Sequence, residues 1–325
     1  MERISLGNEE FEGHNNAYVL TEGDQVTLID AGIATPETRT DLRRGLDAIG
    51  LTFEDVDQVL LTHWHPDHTG LAGEIQQASG ATVYAHEVDA PLASGDPAAM
   101  EAYEQLQLDC FERWGIPPEP LSELLAFFKM SEGAEGEPID VTPLQDGDRI
   151  EIAGDTLTVR HAPGHTDGSA IFESSDEHIA FVGDVVLPVY TPNVGGADVR
   201  VNRPLATYLD TLTGIVQADY DRLHPGHRDP IDAPTARAET IIEHHHERTQ
   251  RVVDVLKDIG PADPWSVSAE LFGSLENIHI MHGPGEAFAH LDHLVHEGVV
   301  TKTDGNYAIA ADETVIEQTI AATFD

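Results

Sequence analysis

The sequence predicts an α/β protein in two parts, with strands and helices over residues 1–230 and a winged-helix-like domain over 231–325. Three observations carry this reading. Short apolar runs at 26–29, 59–61 and 179–182 have the length of buried strands. Helical spacing recurs between such runs, as at Leu42, Leu46 and Ile49. Residues 230–234 hold two prolines and an aspartate, the composition of a linker, and helical spacing dominates beyond them.

Taken in order, 17–20 and 26–29 flank Glu22-Gly23-Asp24, a turn of the hairpin kind. Residues 38–49 keep helical spacing up to Gly50, placed to end the helix. Short strands at 59–62 and 82–85 bracket a helix at 71–78. Residues 88–137 read as a helical insertion, with helices at 97–114 and 120–130 and a polar linker at 132–137. Such an insertion is either a wall over a site or a plain helical pair packed on the core. Strands return at 149–152 and 156–161, on either side of Ala153-Gly154-Asp155, then at 170–172, 179–182 and 220–223. Beyond the linker, 235–259, 266–271 and 285–297 are helical, and 299–303 and 306–309 flank Asp304-Gly305, a strong hairpin turn. Three helices followed by a hairpin is the order of a winged helix.

The 325 residues include 59 acids and 17 bases, a formal net charge of −42. Charge of this size suggests disorder where apolar segments are scarce; the apolar runs argue for a core instead. The acid is dispersed, and only three lysines (Lys129, Lys257, Lys302) stand beside fourteen arginines. That pattern suits a protein working in concentrated salt, where screening suppresses self-repulsion; an acidic docking surface would form a block. Residues 231–325 hold 5 Lys and Arg against 17 Asp and Glu, and the helix at 285–297 has no Lys or Arg, which argues against a DNA-reading wing. The single cysteine, Cys110, excludes an internal disulfide framework and a cysteine-based zinc knuckle. The first ten residues lack the apolar core of a signal peptide, and no run approaches the roughly 18 apolar residues of a membrane span. The expectation is a cytoplasmic protein with no membrane partner.

Chemistry concentrates in Thr62-His63-Trp64-His65-Pro66-Asp67-His68, directly after a strand. Imidazole and carboxylate are ligands that divalent zinc accepts, and a loop leaving a strand can gather them in a small volume. The chain holds 18 histidines, so one cluster alone carries little weight. His244-His245-His246, on a helix, fan around the axis and are read as helix surface. The first cluster has company, however: Pro163-Gly164-His165, Gly183-Asp184 and Pro225-Gly226-His227 each follow a strand. Chance explains one such placement better than four in series.

The series His63, His65, Asp67, His68, His165, Asp184 and His227 resembles the metallo-β-lactamase superfamily of binuclear metal hydrolases, over roughly the first 230 residues. The resemblance implies an αββα sandwich with the helical insertion and a C-terminal winged-helix-like domain. It implies two zinc ions per chain, with Mn2+ or Fe2+ as alternatives. His63, His65 and His165 would hold the first ion, Asp67, His68 and His227 the second, and Asp184 would bridge them. A water bridging two such ions loses a proton near neutral pH, and Asp67 is placed to accept protons as the catalytic carboxylate. Asp30 corresponds to the family aspartate that holds a ligand histidine by its other ring nitrogen. His86, Tyr190, Asn193 and Arg203 are candidate pocket residues.

The family's β-lactamases use a cysteine where Asp184 stands, so the pattern is closer to glyoxalase II and to the β-lactamase-like protein 2 group, whose domain order matches the whole chain. The resulting expectation is hydrolysis of a small ester or thioester. The alternatives are single-strand-specific RNA cleavage, disfavoured by the acidic C-terminal domain, and a non-catalytic metal-binding regulator. Redox di-iron relatives carry glutamate in place of His65, which favours hydrolysis. The C-terminal domain is expected to pack on the core or form a homodimer contact.

Overall fold

The computed structural model describes residues 1–7, 13–21, 25–130, 133, 136–152, 154–174 and 177–324. The turn expected at Glu22-Gly23-Asp24, Ala153 of the second turn and half of the 132–137 linker lie outside the described residues. The chain divides into two compact units. The first comprises 1–101, 132–192 and 217–237; the second comprises 102–131, 193–216 and 238–325. No helix among the described residues is long and apolar enough to cross a membrane.

The first unit holds two sheets. One runs β1 (Glu2–Leu6), β2 (Asn15–Leu20), β3 (Thr27–Ile29), β4 (Gln58–Leu60), β5 (Thr82–His86) and β6 (Val141–Leu144). Its first three strands pair antiparallel, and β3 through β6 pair parallel. Helices α1 (Pro36–Ala48), α2 (Pro66–Thr69), α3 (Ala72–Ser79) and α4 (Ala90–Ala93) lie in its connections. The other sheet contains β7 (Arg149–Ile152), β8 (Asp155–His161), β9 (Ala170–Ser174), β10 (Ile179–Gly183) and β11 (Arg222–Pro225), in the order β11-β10-β9-β8-β7. Among the described residues of this sheet only β10 and β11 pair parallel.

Period-two alternation sorts the strand residues into two cores. Ala17, Val19, Leu28 and Val59 join Leu42, Leu46 and Ile75 of the helices. Their neighbours Tyr18, Leu20, Ile29 and Leu60 pack on Leu157, Val159, Phe172 and Phe181 of the other sheet. Strands buried on both faces read as continuous apolar runs, which is why 26–29 and 59–61 stand out in the sequence. The last strand falls at 222–225 rather than 220–223, because pairing with β10 sets its register from Arg222 opposite Ile179.

The second unit holds α6 (Pro118–Met130), α9 (Pro264–Phe272) and α10 (His279–His296) and most of α5 (Pro97–Trp114), α7 (Pro204–Ala218) and α8 (Pro234–Ile259). A hairpin, β12 (Val300–Thr303) and β13 (Asn306–Ile309), and a terminal helix, α11 (Glu313–Phe324), complete it. Asp304 and Gly305 both have positive φ, +48° and +83°, as an Asp-Gly hairpin turn requires. Two expectations change here. Helix α10 starts at His279 rather than Gly285, carrying Pro284 inside it, because burial of Ile280 and Met281 against Phe111, Trp114 and Leu124 anchors the extra turns. His245 is not surface: it is fully buried, facing His290 at 3.4 Å and packing edge-on against Tyr208. A helix this long has one buried stripe, and the middle of three successive residues falls on it.

Candidate metal centre

Strand β4 delivers Thr62 and His63, and Pro66 at the first position of α2 turns the chain so that Asp67 and His68 follow within a single helical turn. The loop after β8 carries His165, the end of β10 carries Asp184, and the loop after β11 carries His227. Donor atoms of His63, His65 and His165 lie within 4.8 Å of one another, as do those of His63, His68 and Asp184, and those of Asp67, His68 and His227. Asp184 spans these groups, with Oδ2 at 3.3 Å from His227 Nε2 and 3.9 Å from His165 Nε2, and Oδ1 at 3.5 Å from His68 Nε2. Gly226 is required by close approach: a Cβ there would lie 2.5 Å from both Asp184 Oδ1 and His68 Cε1.

Hydrogen-bond partners set the imidazole tautomers. Asp30 accepts from Thr62 N–H and Thr62 Oγ1 at 2.8 Å each, and from His68 Nδ1 at 2.8 Å. The Thr62 hydroxyl has given its proton to Asp30, so it accepts from His63 Nδ1 at 3.1 Å. His227 Nδ1 donates to the Gly13 carbonyl at 3.2 Å. In all three rings Nδ1 is the donor, so Nε2 is the nitrogen turned to the cluster.

The donor set fits divalent ions. His63 Nε2 and His165 Nε2 lie 3.0 and 3.1 Å from His65 Nδ1. Metal–nitrogen bonds of about 2.0–2.1 Å in a tetrahedron give an edge of about 3.3 Å. His68 Nε2 and Asp184 Oδ1 are buried with no hydrogen-bond partner. Groups of this kind, withdrawn from water and without a hydrogen bond, are costly unless an ion takes them up.

Charge is polarised across the cluster. Burial, reinforced by the neighbouring imidazoles, holds His63 well below its ordinary pKa, so it is neutral. Burial would also lower His68, but the Asp67, Asp184 and Asp30 carboxylates outweigh it and raise the imidazole to about 9. The same balance raises His227, where Asp184 and Asp67 overcome burial. Burial opposes ionisation of Asp67 and Asp184, yet His68 and His227 hold both carboxyls below the usual range.

Two supporting residues have no counterpart among the sequence expectations. Asn15 Nδ2 donates to Asp67 Oδ2 at 3.1 Å, and Asn16 Nδ2 donates to the Pro225 and Arg228 carbonyls at 2.9 and 2.7 Å, pinning the His227 loop. Two successive asparagines opening a wholly buried strand are the signal that could have found them. The four candidate pocket residues have partners of their own. His86 stacks on His161 with centroids 4.1 Å apart, and burial followed by His161 lowers it to about 4. Tyr190 is half-exposed with the Arg228 guanidinium 4.6 Å from its ring centroid. Asn193 and Arg203 belong to the second unit. Asn193 donates there to Glu286 and to the His282 carbonyl, and Arg203 faces Glu297 at 3.9 Å.

Comparison with known proteins gives a consistent picture. The family model for the metallo-beta-lactamase superfamily matches residues 11–227. The chain is 27% identical over 294 residues to the "probable metallo-hydrolase YqjP" of Bacillus subtilis (strain 168), covering 87% of this chain and 88% of that protein. A metallo-beta-lactamase family protein from Thermus thermophilus superimposes with a TM-score of 0.82 at 30% identity, over 95% of this chain and 98% of that one. A protein solved in a di-iron-bound form superimposes with a TM-score of 0.51 at 25% identity, over 73% of this chain and 98% of that one.

Proposed function

The chain belongs to the metallo-beta-lactamase superfamily, and within it we propose a binuclear metal-dependent hydrolase acting on a small ester or thioester. One observation carries the proposal: seven side chains from four separate segments converge, with His63, His68 and His227 each locked so that Nε2 faces the cluster. A closed structural site would need four ligands for one ion. Seven donors in overlapping groups suit two ions with room for a reacting water.

We assign His63, His65 and His165 to one ion, Asp67, His68 and His227 to the other, and Asp184 to both. Zinc matches the imidazole-rich set, with Mn2+ or Fe2+ as alternatives; the di-iron relative speaks for the latter. When bound, two dications lower the pKa of a water from 15.7 to about 7 and stabilise negative charge on the substrate. Asp67 holds and moves the proton: its Oδ2 accepts from Asn15, which keeps the carboxylate oriented within the cluster. Asp30 keeps Thr62 and His68 in register, and the Gly13 carbonyl does the same for His227. Residues 231–325 are assigned as a winged-helix-like domain on the three helices that precede their hairpin. Its 5 basic against 17 acidic residues weigh against RNA as the substrate. The dispersed −42 charge supports a cytoplasm rich in salt as the working environment.

The test is hydrolysis by metal-loaded protein in molar potassium chloride, with acyl thioesters, esters and single-stranded RNA assayed in parallel. Thioester or ester turnover is expected, with Asp67→Ala lowering kcat/KM by roughly 10²–10⁴-fold. Equal activity of wild type and Asp67→Ala on every substrate would sink the proposal, and turnover of RNA alone would replace the substrate class. Elemental analysis is expected to return about two ions per chain.

A further inference from the structure

Asp89 is fully buried in the first unit and is not among the seven donors, yet its carboxylate joins the two loops that carry three of them. Its Oδ2 accepts from the Trp64 N–H at 3.2 Å, between His63 and His65, and from Thr166 Oγ1 at 2.8 Å, next to His165. Proton accounting gives the network a direction. Thr166 Oγ1 donates its one proton to Asp89, so the Ser169 hydroxyl, 2.7 Å away, donates to Thr166. Ser169 Oγ in turn accepts from the Thr166 N–H at 3.1 Å. The turn at 166–169 is thereby tied, through one carboxylate, to the peptide between His63 and His65. Gly168 is part of the fit, since a Cβ there would lie 2.5 Å from Asp89 Cγ.

The remaining donors have separate supports. His68 is held by Asp30, His227 by the Gly13 carbonyl, and Asp67 by Asn15. We infer that Asp89 is a positioning residue for one half of the centre, keeping His63, His65 and His165 at the spacing one ion needs. The other half stands without it. The inference rests on the two-ion reading above. It adds an asymmetry: removing one buried carboxylate loosens one ion and spares its neighbour.

The experiment uses the full chain, stripped of metal and titrated with Co2+ in molar potassium chloride, followed by calorimetry and the visible absorption of the bound ion. Wild type is expected to take up two ions. In Asp89→Ala one ion binds as in wild type and the other binds roughly 10–100-fold more weakly, the usual effect of losing a support behind a metal ligand. The absorption of the weakened ion changes with it. Asp89→Asn should recover much of the loss, because its amide oxygen can accept both hydrogen bonds. Wild-type affinities at both positions in Asp89→Ala, or equal weakening of both, would overturn the inference. If circular dichroism shows that Asp89→Ala does not fold, Thr166→Val decides, with the same one-sided but smaller weakening expected and unchanged affinities fatal. A wild type that takes up fewer than two ions overturns the binuclear reading itself, and the assignment of Asp89 falls with it.

Discussion

Asp30 shows how much of the proposed centre depends on a single side chain that touches no substrate. Its two oxygens accept from Thr62 N–H, Thr62 Oγ1 and His68 Nδ1, all at 2.8 Å and all buried. Every partner is a donor, so Asp30→Asn turns an amide N–H against one of them whichever way it rotates. Metal affinity is expected to fall roughly 10–100-fold, measured by chelator competition. Each donor orphaned in the interior should also cost about 1–3 kcal/mol in urea unfolding. Unchanged affinity would remove Asp30 from the account. Asn15 makes a narrower prediction. Losing a hydrogen bond to a charged group costs about 1.5–3 kcal/mol, so Asn15→Ala should lower kcat/KM by roughly 10–100-fold. Steady-state kinetics beside elemental analysis checks it, with two ions still bound. The candidate histidines and Asp67 are legible from the first cluster together with the three later segments that follow strands. Asn15 carries a weaker signal, the pair of asparagines opening a buried strand, and its partner Asp67 is fixed only by the fold.

At the scale of elements, the pairing of α8 with α10 has a consequence in acid. His245 is fully buried, and burial, then His244 and Arg248, push its pKa down to about 3, against about 6.5 unfolded. A depressed imidazole means that the unfolded chain binds the extra proton between those values. Stability from this group is therefore complete above about pH 6.5 and is lost as pH falls toward 3. The slope is about 1.4 kcal/mol per pH unit for one group. His245→Met should flatten the acid limb of urea-unfolding free energy by that amount between pH 6 and 4.5. An unchanged limb would mean that His245 is protonated in the folded protein. Three adjacent histidines look alike in one dimension, so the sequence assigns all of them to the surface. Only the packing of α8 against Tyr208 and His290 separates the middle one. Likewise α10 begins six residues before the glycine expected to open it, since buried Ile280 and Met281 outweigh the local breaking tendency of Pro284.

For the whole molecule, the governing quantity is the −42 charge on a fold with an ordinary apolar interior. Self-repulsion of dispersed carboxylates weakens as the Debye length drops from about 10 Å at 0.1 M to about 3 Å at 1 M salt. Raising potassium chloride from 0.1 to 2 M is therefore expected to raise Tm by at least about 5 °C, a shift of roughly 2 kcal/mol for a protein of this class. A flat or falling Tm would refute the salt-adapted reading. Strands β3 to β5 are readable in outline from the runs at 26–29, 59–62 and 82–85, whereas β1 and the largely exposed β6 carry no such run. The parallel pairing of β10 with β11 is not readable, since these two strands, unlike the consecutive β7 to β10, lie far apart along the chain.

By itself the sequence determined the α/β class and the turn residues of the C-terminal hairpin, because strand burial and positive φ are written into residue type at short range, and its resemblance to a known family named the seven candidate donors. Tertiary structure alone decided which ring nitrogen of His63, His68 and His227 faces the cluster, that Asn15 and Asp89 stand behind the donors, and that His245 lies inside. Tautomer, support and burial depend on what approaches from elsewhere in the chain. Thr62, Thr166 and Gly13 acquire their meaning only when the sheets bring those segments together.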